Sequence, residues 1–268
     1  MTDFSSDLAL ALELADIADA LTGSYFGKPD LSISQKADLT PVSEADRAVE
    51  AALRARLAQA RPDDAVLGEE YGRTAGGARC WIIDPIDGTK NYIRGLPVWA
   101  TLIGLAVGDD MVVGVVSAPA LGRRWWAAQG QGAWVTARNS APQADPLAPR
   151  RIHVSSIDTV AEASLSYASL GAWKQHGLLD EFVSLTLECG RTRGYGDFWS
   201  YMLVAEGCVD IAVEPELEIY DMAALVPIVT EAGGVFTSLN GTPGPWGGNA
   251  LATNPQLYSK VRNRLQAT

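Results

Sequence analysis

An apolar run, Cys80-Trp81-Ile82-Ile83, ends abruptly on Asp84-Pro85-Ile86-Asp87-Gly88-Thr89-Lys90-Asn91. Four apolar residues bounded by turn formers read as a short buried strand that delivers Asp84 to a rim. Pro85 fixes φ and removes a backbone donor, so a turn is predicted to begin at Asp84. Asp87 follows three residues later, and a tight turn there points both carboxylates into one small volume. Two carboxylates that close repel each other strongly at low dielectric unless a cation or a proton lies between them. Gly88 and Thr89 are placed to open a short helix whose free N–H groups suit an anion. Oxygen ligands for a cation beside such a helix start imply metal-assisted phosphoester hydrolysis. The same residues would also make an Asx-rich turn that only caps a helix. The motif alone leaves both readings open.

Its company decides between them. Gly68-Glu69-Glu70 lies upstream, and Tyr220-Asp221 lies downstream, near Glu231-Ala232-Gly233-Gly234. These three motifs, in this order and at these separations, resemble the inositol monophosphatase-like family of magnesium-dependent, lithium-sensitive phosphatases. The resemblance runs over nearly the whole chain. It departs at Tyr220, where the family usually has Trp; a large aromatic is kept, so the departure bears on the substrate pocket rather than the metal site.

The resemblance implies an α/β fold, a layered αβαβα sandwich of the inositol monophosphatase and sugar phosphatase type. It also implies two to three Mg²⁺ ions per active site and a homodimer. Residue by residue, it implies that Glu69, Asp84 and the Ile86 carbonyl bind one metal, and Asp84, Asp87 and Asp221 a second. Thr89 with Glu69 positions and activates water, Glu70 braces the site from behind, and the N–H groups of Gly88 and Thr89 hold the phosphate beside Asp87. Asp221 sits at an expected helix start, where a carboxylate often serves as an N-cap; the family match favours the ligand role. Ser43-Glu44-Ala45-Asp46 has the form of a capping box, while the matching acid in the family helps hold an additional, weaker metal. Both roles are open for Asp46.

The leaving alcohol rests on two further acids. Glu214 matches a position that touches the non-phosphate part of substrates in the family, and Asp197 falls where inositol phosphatases carry a small residue near the sugar ring. Two acids suit a cationic alcohol better than a neutral polyol. Gly196-Asp197-Phe198 before Val204-Ala205-Glu206-Gly207 resembles the histidinol-phosphate phosphatase branch. The bland reading makes Asp197 a cap of the following helix. An inositol-1-monophosphatase or a 3′-phosphoadenosine phosphate phosphatase would share every metal ligand. Some relatives also act as transcription accessory factors, a binding function that the strong negative charge and the complete catalytic set disfavour.

Charge and composition narrow the classes independently. The net charge is −11, with 32 acidic against 21 basic residues in 268. Such a field repels nucleic acid and anionic membrane, so neither is expected as a partner. A small phosphate ester is repelled too, unless bound cations reverse the local sign. With two histidines, His153 and His176, the chain lacks material for a multi-histidine metal site. Cys80, Cys189 and Cys208 have Ile86, Tyr195 and Glu214 six residues on, where a cysteine phosphatase needs Arg. The phosphoaspartate class uses D-x-D, whereas this turn has D-x-x-D. Three cysteines without a C-x-x-C predict a reduced cytoplasmic protein. Asp3 and Asp7 stand where a signal peptide would be basic, and no apolar run has the length of a membrane span.

Leu10, Leu14, Ile17, Leu21 and Tyr25 recur at helical spacing, predicting an amphipathic helix over 7–26. Strands are expected at 31–36 and 66–67, with a polar turn at 37–41 and a Gly-rich, hairpin-like connection over 73–79. Segments 99–107, 111–118, 124–129 and 133–136 read as an antiparallel sheet. Trp125 and Trp126 belong to its packing. Residues 137–150, with three prolines, form the expected linker between subdomains 1–140 and 150–268. Beyond it, strands at 164–168, 191–194, 209–213 and 235–238 alternate with helices at 178–188, 198–206, 221–232 and 255–265.

Overall fold

A computed structural model of the protein describes residues 2–28, 32–35, 41–137 and 148–265. Most of the expected turn at 37–41 and of the expected linker lies outside them. Strand Arg79–Asp87 is the axis of the larger sheet and is buried from Cys80 to Ile86. It pairs in parallel with Ala65–Gly68 and antiparallel with Ala100–Val107. The sheet then continues antiparallel through Asp110–Ala118, Arg123–Ala128, Ala133–Ala137 and Arg150–Ile152. On the other side, Gly72–Arg73 closes a hairpin on Ala65–Gly68. The expected hairpin is therefore one strand earlier than predicted: Glu69, Glu70 and Tyr71 form its turn, and residues 74–78 cross to a parallel neighbour. An eight-stranded sheet results.

Alternation along these strands serves two cores. Trp81, Ile83, Ile103 and Leu105 pack under Leu10, Leu14, Leu53 and Leu57 of helices Ser5–Tyr25 and Glu44–Ala60. Ala11, Ala15 and Ala18 are fully buried in the same cluster, where small side chains allow close packing. The opposite face, with Leu102, Val116 and Trp125, packs on helices Asp197–Ala205 and Leu225–Glu231. Those helices also cover Ala212, Phe236 and Ala252 of a second, five-stranded sheet. Its order is Arg191–Arg193, Ser164–Ser166, Ile211–Glu214, Ala250–Thr253, Val235–Thr237. Its outer face packs on Leu170–Gln175, Leu179–Glu188 and Pro255–Leu265, where Trp173 and Phe182 stack at 4.2 Å. Helix, sheet, helix, sheet and helix layers follow one another, the αβαβα arrangement. Trp125 is wholly buried and Trp126 packs against the first core; both are packing residues.

Two local differences from the expected elements matter for the site. Pro85 does not end the strand in a turn; the strand continues to Asp87 through a bulge. Asp84 pairs with Leu102 and Asp87 with Ala100, so Pro85 and Ile86 together oppose Thr101. Pro85 has no ladder donor, and its carbonyl instead accepts from the Thr101 hydroxyl at 2.8 Å. The helix expected over 221–232 is two helices, Ile219–Met222 and Leu225–Glu231. Pro227 accounts for the break, because its ring excludes the carbonyl of the residue four positions earlier. The junction lies hard against the sheet: a Cβ on Gly114 would meet the Ala224 carbonyl at 2.2 Å. Strands Arg150–Ile152 and Ala250–Thr253 and helix Leu170–Gln175 were not expected, and the first belongs to the larger sheet.

Candidate metal centre and substrate cavity

Residues three apart on an unbroken strand point to opposite faces. The bulge adds one residue between Asp84 and Asp87 and so brings both to one side. Asp221 joins them from the short helix Ile219–Met222. Ligand oxygens of Asp84, Asp87 and Asp221 lie within 4.8 Å of one another, the metal-capable acid cluster found among the described residues. Each is held from behind by a backbone donor: Ile86 N–H to Asp84 Oδ1 at 2.9 Å, Phe198 N–H to Asp87 Oδ2 at 2.8 Å, Glu218 N–H to Asp221 Oδ2 at 2.8 Å. Asp221 is thus a helix-capping residue as well as a member of the cluster.

The carboxyl groups share hydrogen bonds, Asp84 with both Glu69 and Asp221. Burial, then the charges of Glu69, Asp87 and Asp221, hold Asp84 well above the usual carboxylate range. Burial, then the charges of Asp197 and Asp221, do the same for Asp87. Asp221 is pushed up to about 7, chiefly by burial, with the Glu218 N–H opposing and Glu69 adding. Acids this crowded and this dry need protons or cations among them. The donor set is carboxylate with the nearby Ile86 carbonyl, all hard oxygen, which fits Mg²⁺.

Glu69 reaches the cluster from the hairpin turn after strand Ala65–Gly68, and its placement depends on a residue that sequence reasoning did not single out. Glu50 is fully buried in helix Glu44–Ala60. Its carboxylate accepts from Glu70 N–H at 2.7 Å and Tyr71 N–H at 3.2 Å, and pairs with Arg54 Nε at 2.7 Å. Arg54 also donates to the Gly72 carbonyl. Glu50 and Arg54 together clamp both sides of the turn.

Asp46 does what the capping box required: its Oδ2 accepts from Ser43 N–H at 2.8 Å and Ser43 Oγ–H at 2.6 Å. Its other oxygen lies 3.4 Å from Thr89 Oγ. Burial raises its pKa against the Ser43 hydrogen bonds, with the Glu69 charge adding. Asp46 therefore caps a helix and faces the centre at once. The Thr89 hydroxyl donates to the Ile86 carbonyl at 2.9 Å. Helix Thr89–Ile93 opens behind Gly88, whose φ of +82° is a left-handed conformation. A Cβ at Gly88 would meet the Val98 carbonyl at 2.9 Å.

A cavity of about 220 Å³ adjoins the cluster and is lined by Asp87 and Asp221 together with Asp197, Tyr201 and Glu214. Asp197 opens helix Asp197–Ala205 with φ at +48°, and its Oδ2 accepts from Asn91 Nδ2 at 2.8 Å. Burial raises its pKa, opposed by the Lys90 charge and the Asn91 bond. Glu214 ends strand Ile211–Glu214 and accepts from the Ala168 N–H. Burial pushes it up to about 8, against that bond. Tyr220 is not among the described cavity residues; it packs beside Ala65, Cys80 and Ile82.

Residues 3–267 match the model of the inositol monophosphatase family. A histidinol-phosphatase of Streptomyces coelicolor is 54% identical over 99% of this chain and 98% of that relative. A histidinol-phosphatase of Mycobacterium tuberculosis is 54% identical over 97% of this chain and 98% of its own length. The solved inositol monophosphatase of Zymomonas mobilis superposes with a TM-score of 0.85 at 32% identity, covering 99% of this chain and 100% of that one.

Proposed function

The chain belongs to the inositol monophosphatase family and is a phosphatase, and we propose that its substrate is L-histidinol phosphate, hydrolysed to L-histidinol and phosphate. The observation that carries this reading is the shared cavity: Asp87 and Asp221 line the same space as Asp197 and Glu214. An ester placed with its phosphate at the acid cluster puts its alcohol between two further carboxylates. Those favour a cationic alcohol, and a protonated amine restores ionisation to Glu214, which burial otherwise resists. The two histidinol-phosphatases at 54% identity support the same alcohol.

The ligand assignment expected from the motifs is kept. Glu69, Asp84 and the Ile86 carbonyl would hold one Mg²⁺, Asp84, Asp87 and Asp221 would hold a second, and Asp46 would face a third, weaker position. When bound, Mg²⁺ supplies Lewis-acid polarisation of the phosphoryl oxygens and neutralises charge that otherwise repels the ester. The Thr89 hydroxyl donates its hydrogen bond to the Ile86 carbonyl, which leaves its oxygen able to accept from the attacking water. Glu69, fixed by the clamped turn, takes the proton that water releases. The N–H groups of Gly88 and Thr89 bind the phosphate oxygens. Asp197 and Glu214 orient the alcohol by its positive charge. Inhibition by lithium, a homodimer, a cytoplasmic setting and the division into 1–140 and 150–268 complete the proposal.

The test is a turnover panel in Mg²⁺ with L-histidinol phosphate, inositol 1-phosphate and 3′-phosphoadenosine phosphate. L-Histidinol phosphate is expected to have the highest kcat/KM. Preference for either alternative overturns the assigned alcohol and leaves the phosphatase chemistry standing.

A further inference from the structure

Tyr201 is only 1% exposed, yet its hydroxyl has no hydrogen-bond partner among the described residues. A buried, unpaired hydroxyl is costly, and native proteins rarely keep one without a use. This one belongs to a residue that lines the substrate cavity. Asp197 and Tyr201 stand four apart on helix Asp197–Ala205, hence on one face. The ring packs against Phe236, at a centroid distance of 5.6 Å. The charges that act on the hydroxyl are those of Glu214, then Asp221 and Asp87, all cavity walls. When ionised, as a bound cation keeps them, these three carboxylates are acceptors only, so a neutral acceptor on the alcohol needs a donor from elsewhere in the lining.

We propose that Tyr201 is a specificity-determining residue whose O–H donates to a neutral acceptor on the leaving alcohol, the unprotonated ring nitrogen of an imidazole. Burial raises the phenol's pKa, so the proton is present at neutral pH. The cavity then reads two properties of one alcohol: Asp197 and Glu214 its positive charge, Tyr201 its acceptor nitrogen. This assignment rests on the L-histidinol phosphate reading.

L-Phenylalaninol phosphate separates the two properties, because it keeps the ammonium, the phosphate and an aromatic ring but has no ring nitrogen. Wild-type enzyme and Tyr201→Phe are compared on both esters by kcat/KM, with thermal midpoints recorded. One hydrogen bond predicts that Tyr201→Phe loses about tenfold more on L-histidinol phosphate than on L-phenylalaninol phosphate. Its thermal midpoint stays level or rises, since an orphaned polar atom has been removed from the interior. Equal loss on both esters, or loss on neither, overturns the role of Tyr201; so does a fall in midpoint with unchanged kinetics, which marks a structural hydroxyl. Wild-type enzyme that fails to prefer L-histidinol phosphate overturns the substrate reading, and the role of Tyr201 falls with it. Wild-type preference with an unselective variant loss rejects Tyr201 alone.

Discussion

The Glu50 carboxylate occupies the space where a side chain at residue 68 would begin: a Cβ on Gly68 would lie 2.0 Å from Glu50 Oε1. Glu50 cannot retreat without releasing the N–H groups of Glu70 and Tyr71 and its pair with Arg54. Gly68→Ala therefore displaces a buried charge and loosens the turn that carries Glu69. Overpacking of this kind costs about 1–3 kcal/mol, so the midpoint in thermal unfolding should fall. The half-saturating Mg²⁺ concentration for turnover should rise as well. Unchanged Mg²⁺ dependence would show that the clamp serves stability only.

The limits of the sequence reading are visible at this same pair. Glu50 and Arg54 stand four apart on a helix, the ordinary pattern of a solvated surface pair, and spacing cannot tell a buried pair from a wet one. Asp84, Asp87 and Asp221 were legible because acids beside Gly and Pro punctuation survive as short motifs. The bulge was not, since Pro85 predicts only a lost donor and either a turn or a bulge absorbs it. The break before Leu225 did have a signal in Pro227. Strand Ala250–Thr253 had almost none, because Ala is poor in strand propensity and the segment is held there by neighbours on both sides.

Stability of the metal-free protein should decline as pH rises through neutrality. The sign follows from Asp221: its carboxyl stays protonated up to about 7 when folded, against about 4 in the unfolded chain. Between those values the folded state holds the extra proton, so stability is present below about 4 and is lost as pH passes about 7. Asp84 and Asp87 are raised in the same direction and reinforce the trend. Mg²⁺ removes the repulsion the protons otherwise relieve. Thermal scans in chelator should show the midpoint dropping from pH 5 to pH 8, and the gain on adding Mg²⁺ should be larger at pH 8. A Mg²⁺ increment independent of pH would contradict the ligand assignment.

Asp87→Asn should separate stability from catalysis. The amide oxygen can still accept from the Phe198 N–H, the bond that docks helix Asp197–Ala205. One negative charge leaves a crowded cluster, so the metal-free midpoint should hold or rise. Turnover should fall by orders of magnitude, because the proposed second Mg²⁺ would lose one of its carboxylate ligands. Circular dichroism, thermal scans and initial rates in Mg²⁺ suffice to check it. Near-normal turnover would remove Asp87 from the metal set.

Asp197→Asn tests the charge reading of the cavity with little risk to the fold. The residue sits at φ +48°, in the left-handed region that Asn tolerates better than most residues. The side-chain carbonyl of Asn can keep the bond from Asn91 Nδ2. What disappears is the negative charge facing the alcohol. A charge-assisted hydrogen bond to an ammonium is worth about 1.5–3 kcal/mol, so kcat/KM for L-histidinol phosphate should drop about ten- to a hundredfold. An ester of an uncharged alcohol, such as p-nitrophenyl phosphate, never used that charge, and its turnover should change little. Asp197 also repels Asp87, but the half-saturating Mg²⁺ concentration should not rise, since no ligand is removed. Equal impairment of both esters would mean that Asp197 shapes the helix start instead of selecting the alcohol. Loss confined to L-histidinol phosphate would place its positive charge against this carboxylate.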